Sequence, residues 1–157
     1  MKNWKFITLF LLFATLCTGL EAAEKWLSGP DKRWYVKLED ALAAAKAENK
    51  KVYVLRTGSD WCGWCTKLYK DVLSNKKFKR FARKHLILLY LDSPKRKKMP
   101  AEQLNYNNEV FKKLGITGGF PTGAVLDSEG KVINKRAGYA SCKEYIKFLE
   151  EAVGAGK

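Results

Sequence analysis

Asp60-Trp61-Cys62-Gly63-Trp64-Cys65 decides the reading of this 157-residue chain. Two thiols three positions apart can close into a disulfide and open again. The apolar run Val52-Tyr53-Val54-Leu55 before them predicts a strand, and the residues after them predict a helix to about Leu73. The cysteines therefore fall where a strand turns into a helix. A Cys at a helix start faces N–H groups without intrahelical acceptors and the positive end of the helix dipole. Both favour thiolate over thiol, and the thiolate is the form that attacks a disulfide. Cys62 and Cys65 are the candidate redox pair.

Upstream, the first 23 residues read as a targeting segment. Lys2 and Lys5 precede an apolar stretch from Phe6 to Leu16, followed by the small residues Thr18, Gly19, Ala22 and Ala23. That pattern predicts a secretory signal peptide, cleaved between residues 19 and 23. The stretch is short for a membrane span, which takes about 20 residues. Cleavage would remove Cys17 and leave Cys62, Cys65 and Cys142. Three cysteines cannot build a framework of several bridges, and a Cys62–Cys65 loop is too tight to be a good staple, so a functional role is favoured.

The chain carries a formal charge of +14, and losing residues 1–23 (two lysines and one glutamate) would leave +13. Basic residues concentrate at Lys76-Lys77-Phe78-Lys79-Arg80, at Arg83-Lys84 and at Lys95-Arg96-Lys97-Lys98. A solvated basic face is the simplest account, with attraction to anionic partners or a membrane surface next. No nucleic-acid motif accompanies the runs, so no nucleic-acid partner is expected.

Residues 24–37 form an extension in which Trp34-Tyr35-Val36 suits a short strand. Leu38 to Asn49 has helical spacing at Leu38, Ala41, Leu42 and Ala45. Ser74-Asn75 can cap a helix through Lys84, and Leu86 to Leu91 is the apolar run of a central strand. Pro100 suits the first turn of a helix stopped by Gly115. Thr122–Leu126 and Lys131–Lys135 suit two strands joined by a turn at residues 127–130. Ser141 with Glu144 predicts a capping box for a last helix carrying Tyr145, Phe148, Leu149 and Val153. The order is βαβ then αββα, which predicts an α/β domain with a mixed sheet and helices on its two faces.

A strand leading into Trp-Cys-x-x-Cys, then Gly115-Ile116-Thr117-Gly118-Gly119-Phe120-Pro121-Thr122 and a hairpin, resembles the thioredoxin superfamily. Thr57 to Cys65, together with Leu91-Asp92-Ser93-Pro94 and Leu126 to Lys131, is most similar to exported bacterial thioredoxin-like proteins of the DsbH type. The resemblance implies a thioredoxin fold over residues 38–153, with 154–157 as a tail. It implies a periplasmic thiol–disulfide oxidoreductase without a cofactor, with Cys62 as the exposed attacking thiol and Cys65 as the more buried resolving one. Trp61, Gly63, Trp64, Phe120 and Pro121 would form the substrate surface, with a cis bond before Pro121 placing that loop opposite the cysteines. The expected partners are disulfide-containing exported proteins and a membrane electron donor, acting on a monomer as a reductant. Oxidase or isomerase action is the same chemistry in other directions.

Three features depart from the thioredoxin pattern. Arg56 stands where thioredoxins carry a buried Asp, and its two readings are a thiolate neighbour or a solvent-directed side chain. Gly63-Trp64 replaces Gly-Pro between the cysteines, and Gly118-Gly119 adds a residue before Pro121, suggesting a bulge. Cys142 reads as a bystander thiol and His85 as a structural residue at a strand start. Asp60 reads as a surface charge. A rival reading from another class is a soft-metal module holding copper or zinc on the Cys pair. Zinc sites usually take four ligands, and the sequence offers no second Cys pair or His cluster, so no metal ligands are assigned.

Overall fold

A computed structural model describes residues 30–155. The expected signal peptide, its cleavage site and residues 24–29 of the extension lie outside the described residues. Strand β1 is Trp34–Tyr35, followed by α1 (Leu38–Glu48), β2 (Lys51–Thr57) and α2 (Gly63–Leu68). A π-helical turn, Tyr69–Leu73, continues α2, and then come α3 (Lys76–His85), β3 (Leu86–Asp92) and α4 (Ala101–Lys113). Strands β4 (Thr122–Leu126) and β5 (Val132–Ala137) and helix α5 (Cys142–Val153) complete the fold.

The five strands form one sheet in the order β1-β3-β2-β4-β5. β2 runs parallel to β3 and antiparallel to β4, so the sheet is mixed as the sequence predicts. Alternation along the strands sends side chains to two cores. Tyr53, Leu55, Leu88 and Val125 face Leu68, Val72, Phe78, Tyr145 and Leu149 on one side. Val52, Val54, Leu89, Leu91, Ala124 and Leu126 face Leu38, Ala41, Val110 and Phe111 on the other. Helices α1 and α4 thus cover one face, and α2, α3 and α5 the other.

Local chemistry sets several boundaries. Asn49 ends α1 in the left-handed region, at φ 50°, which Asn tolerates better than most residues. The Lys37 side chain gives α1 no N-terminal cap; the Tyr106 hydroxyl instead accepts from the Leu38 N–H at 2.6 Å. The Asn75 side chain caps α3 by accepting from the Lys77 N–H, and Ser141 with Glu144 forms the expected capping box on α5. In the π-helical turn the Ser74 N–H reaches back five residues to the Tyr69 carbonyl, at 2.9 Å.

Two expectations are corrected. His85 is the last residue of α3 and not a strand start, because the helical backbone runs on through Phe81 and the His85 ring packs 4.8 Å from that of Phe81. The segment at Gly118-Gly119 is an open bend; the register irregularity of this region falls later, at Val125/Leu126 in the β4–β5 pairing.

Candidate functional site

β2 delivers the chain to the turn at Gly58–Trp61, and α2 begins just past Cys62. Cys62 and Cys65 are joined as a disulfide, with 5.2 Å between their Cα atoms. Cys62 is the N-cap of α2, and its sulfur accepts from the Cys65 N–H at 3.1 Å. One free N–H group of the helix start is therefore satisfied by the sulfur of Cys62. In the reduced protein the same donor would stabilise a thiolate there.

The expected contrast in exposure between the two thiols is corrected. Cys62 is 7% exposed and Cys65 5%, a nearly equal burial in the closed disulfide. What separates them is position. Cys62 adjoins exposed Gly63 and Trp64, whereas Cys65 borders a pocket of about 430 Å³ that is open to solvent. That pocket is also lined by Leu55, Ser59, Asp92, Lys97 and Lys98.

The loop carrying Pro121 meets the cysteine turn through aromatic rings. The Phe120–Pro121 bond is cis, as the resemblance implies. The Trp61 and Phe120 rings meet edge to face with centroids 5.0 Å apart, so neighbours of Cys62 and Pro121 touch directly. The Trp61 indole N–H donates to the Ser93 carbonyl at 2.7 Å. Gly58 is required beneath it, since a Cβ there would stand 2.4 Å from the indole. Trp64 is 59% exposed and lies 5.7 Å from the Tyr139 ring, whose hydroxyl donates to Asp71. Lys67 pairs with the same Asp71 carboxylate at 2.8 Å.

The Arg56 side chain runs to the loop before Pro121. Its guanidinium lies 4.0 Å from the Phe120 ring centroid and 4.7 Å from that of Phe111, and it donates to the Gly118 carbonyl. Burial holds its pKa below the usual arginine value. The side chain braces the Pro121 loop. Cys142 is a free, partly buried thiol at the start of α5, packed against the larger core.

Two acidic residues have roles that sequence reasoning missed. Asp92, buried at the end of β3, accepts from the Ser59 N–H at 2.9 Å and the Ser59 hydroxyl at 2.5 Å, fixing the turn before the cysteines. Asp60 accepts from three successive backbone N–H groups, those of Lys95, Arg96 and Lys97, at 3.0, 2.8 and 2.6 Å. Partial desolvation raises the Asp60 pKa, but those donors outweigh it and bring the carboxyl down to about 2. The only hint in sequence was that Asp60 and a basic run both flank strand ends; their separation of 35–37 residues concealed the contact.

Among the described residues no group of three or more His, Cys, Asp or Glu side chains converges as metal ligands, and no helix is long and apolar enough to cross a membrane.

A family model described as a thioredoxin-like domain matches residues 38–153. The chain is 38% identical over 92 residues to the disulfide bond reductase DsbH of Chlamydia pneumoniae, covering 59% of this chain and 55% of that protein. It is 35% identical over 78 residues to the thioredoxin-related protein DsbJ of the same organism, covering 50% of this chain and 22% of that protein. The matches thus span about half of one curated relative and about a fifth of the other. A solved DsbH oxidoreductase superposes with a TM-score of 0.70 at 27% identity, covering 83% of this chain and 98% of that one. A thioredoxin from Thermus thermophilus superposes with a TM-score of 0.59 at 20% identity, over 79% of this chain and 89% of that one, a likeness of fold.

Proposed function

Because the chain belongs to the thioredoxin-like family, we propose that it is a thiol–disulfide oxidoreductase of the exported compartment, working as a reductant of disulfides in exported proteins. The observation that carries this reading is the Cys62–Cys65 disulfide at the start of α2, beside the Phe120–Pro121 loop. Similarity to a protein named disulfide bond reductase favours the reducing direction. The basic n-region and apolar stretch before residue 24 favour export.

The reduced enzyme begins with a Cys62 thiolate, which the Cys65 N–H is placed to stabilise. It attacks one sulfur of a client disulfide, forming a Cys62–client bond and releasing the other client sulfur as a thiolate that takes up a proton. Cys65, deprotonated, then attacks the Cys62 sulfur. The mixed disulfide breaks, the second client thiol leaves, and Cys62–Cys65 closes. Two electrons pass from the dithiol to the client, and a membrane dithiol donor returns them. Trp61, Trp64 and the backbone at Phe120 and Pro121 would supply the surface on which an extended client segment lies. The enzyme is expected to act as a monomer.

Catalysed reduction of insulin by dithiothreitol tests the reading. Acceleration that Cys62→Ser abolishes supports it. Stoichiometric copper or zinc retained on the Cys pair, without any acceleration, would point to a metal-binding module instead.

A further inference from the structure

The loop after β3 holds four consecutive exposed cations, Lys95, Arg96, Lys97 and Lys98. Among the described residues, the ion pairs formed involve none of them. The nearby carboxylates are occupied with backbone and hydroxyl donors: Asp60 with three N–H groups of the loop, Asp92 with Ser59 and Ser93. A run of like charge on a free loop would spread away from itself. This one is fastened to the turn that carries the cysteines at three successive residues. Ser59 bonds Asp92, Asp60 bonds the backbone of residues 95–97, and Trp61 bonds Ser93 while lying under the Lys95 ammonium at 4.1 Å. Lys97 and Lys98 then border the same pocket as Cys65.

We propose that the Lys95–Lys98 loop, held beside the Cys62–Cys65 pair by Asp60, is a docking surface for client disulfides flanked by acidic residues. Charge complementarity is the argument: the loop's four cations outnumber the two carboxylates at its base, Asp60 and Asp92, and Lys97 and Lys98 line the pocket that Cys65 borders. Their side chains stay in water, so they steer and select clients more than they hold them. The docking surface rests on the exchange reading above and names the client chemistry it prefers.

The test uses the full chain, kept reduced by dithiothreitol, on three disulfide peptides of equal length whose flanking residues are acidic, neutral or basic. The expected result is a kcat/KM for the acidic peptide about tenfold above the basic one at low salt, within the range of electrostatic steering. High salt should bring the ratio toward one. Lys97→Glu/Lys98→Glu should abolish or invert the preference. Arg83→Glu/Lys84→Glu makes the same charge change at the end of α3, before the opposite end of β3, and should keep it. Equal kcat/KM for all three peptides, or equal loss of preference in both variants, would overturn the docking surface and leave the exchange reading standing. No reduction of any peptide would overturn both. Binding to phosphatidylglycerol vesicles that Lys97→Glu/Lys98→Glu abolishes, without peptide preference, would assign the loop to a membrane surface and reject the proposal.

Discussion

Trp61 stands edge-on to Phe120, centroids 5.0 Å apart, so the residue before Cys62 is in contact with the residue before Pro121. Arg56 closes the far side of Phe120, and Lys95 lies over the outer face of Trp61. Cation, ring, ring and cation form a continuous line of contacts from Arg56 to Lys95, with the two rings edge to face. Its position depends on a missing side chain at Gly58.

Gly58→Ala should therefore disturb the site while leaving both cysteines in the chain. The new methyl would meet the indole at 2.4 Å and force it off Ser93 and Phe120. Overpacking of this kind costs about 1–3 kcal/mol. Urea denaturation should show that loss, and the Trp61 contribution to fluorescence should shift.

Beneath the sheet, the Tyr53 and Tyr145 hydroxyls share a hydrogen bond of 2.6 Å with both rings fully buried. Removing one hydroxyl strands the other, so Tyr53→Phe or Tyr145→Phe should each cost about 1–3 kcal/mol, and the double variant less than their sum. Burial pushes the Tyr145 pKa up to about 12, and burial together with Tyr145 raises that of Tyr53 well above its ordinary value. A raised folded-state pKa means stability fully present below the unfolded value of about 10 and lost as pH rises through the folded one. Denaturation midpoints should fall above about pH 10, and the double Phe variant should flatten that decline.

The Asp60 carboxyl has the opposite sign. Its folded pKa of about 2 lies below the ordinary 3.8, so its grip on the basic loop is complete above the ordinary value and lost as pH falls through the folded one. Amide exchange at Lys95, Arg96 and Lys97 should stay slow at about pH 4. In Asp60→Ala the same three amides should exchange fast at every pH, because their acceptor is gone.

The reducing direction makes a separate statement about the dithiol. Equilibrated in a glutathione buffer, the Cys62–Cys65 pair should titrate near the thioredoxin value of about −270 mV, and not near the roughly −120 mV of a strong oxidant. A value at the oxidising end would reverse the direction of the proposed reaction.

Much of this architecture could be read from the chain. Ser141 with Glu144, Asn75 and the apolar run from Leu86 report their own surroundings, because caps and buried strands are determined by residues close in sequence. The thioredoxin-like resemblance located the cis bond before Pro121. What stayed hidden depends on distant parts of the chain meeting. Asp60 gives no sign of its partners at 95–97, and Arg56 could be placed only once Phe111, Gly118 and Phe120 were seen to converge on it. His85 was misplaced because helix α3 passes into β3 without an intervening loop. The similar burial of Cys62 and Cys65 belongs to the closed disulfide and has no signature in sequence.

Trapping with Cys65→Ser is the most direct measurement. With the second sulfur gone, a client captured by Cys62 cannot be released by it. The account predicts disulfide-linked complexes with exported proteins, sensitive to dithiothreitol and mapped by mass spectrometry to Cys62. An absence of such complexes, or their attachment to Cys142, would contradict it.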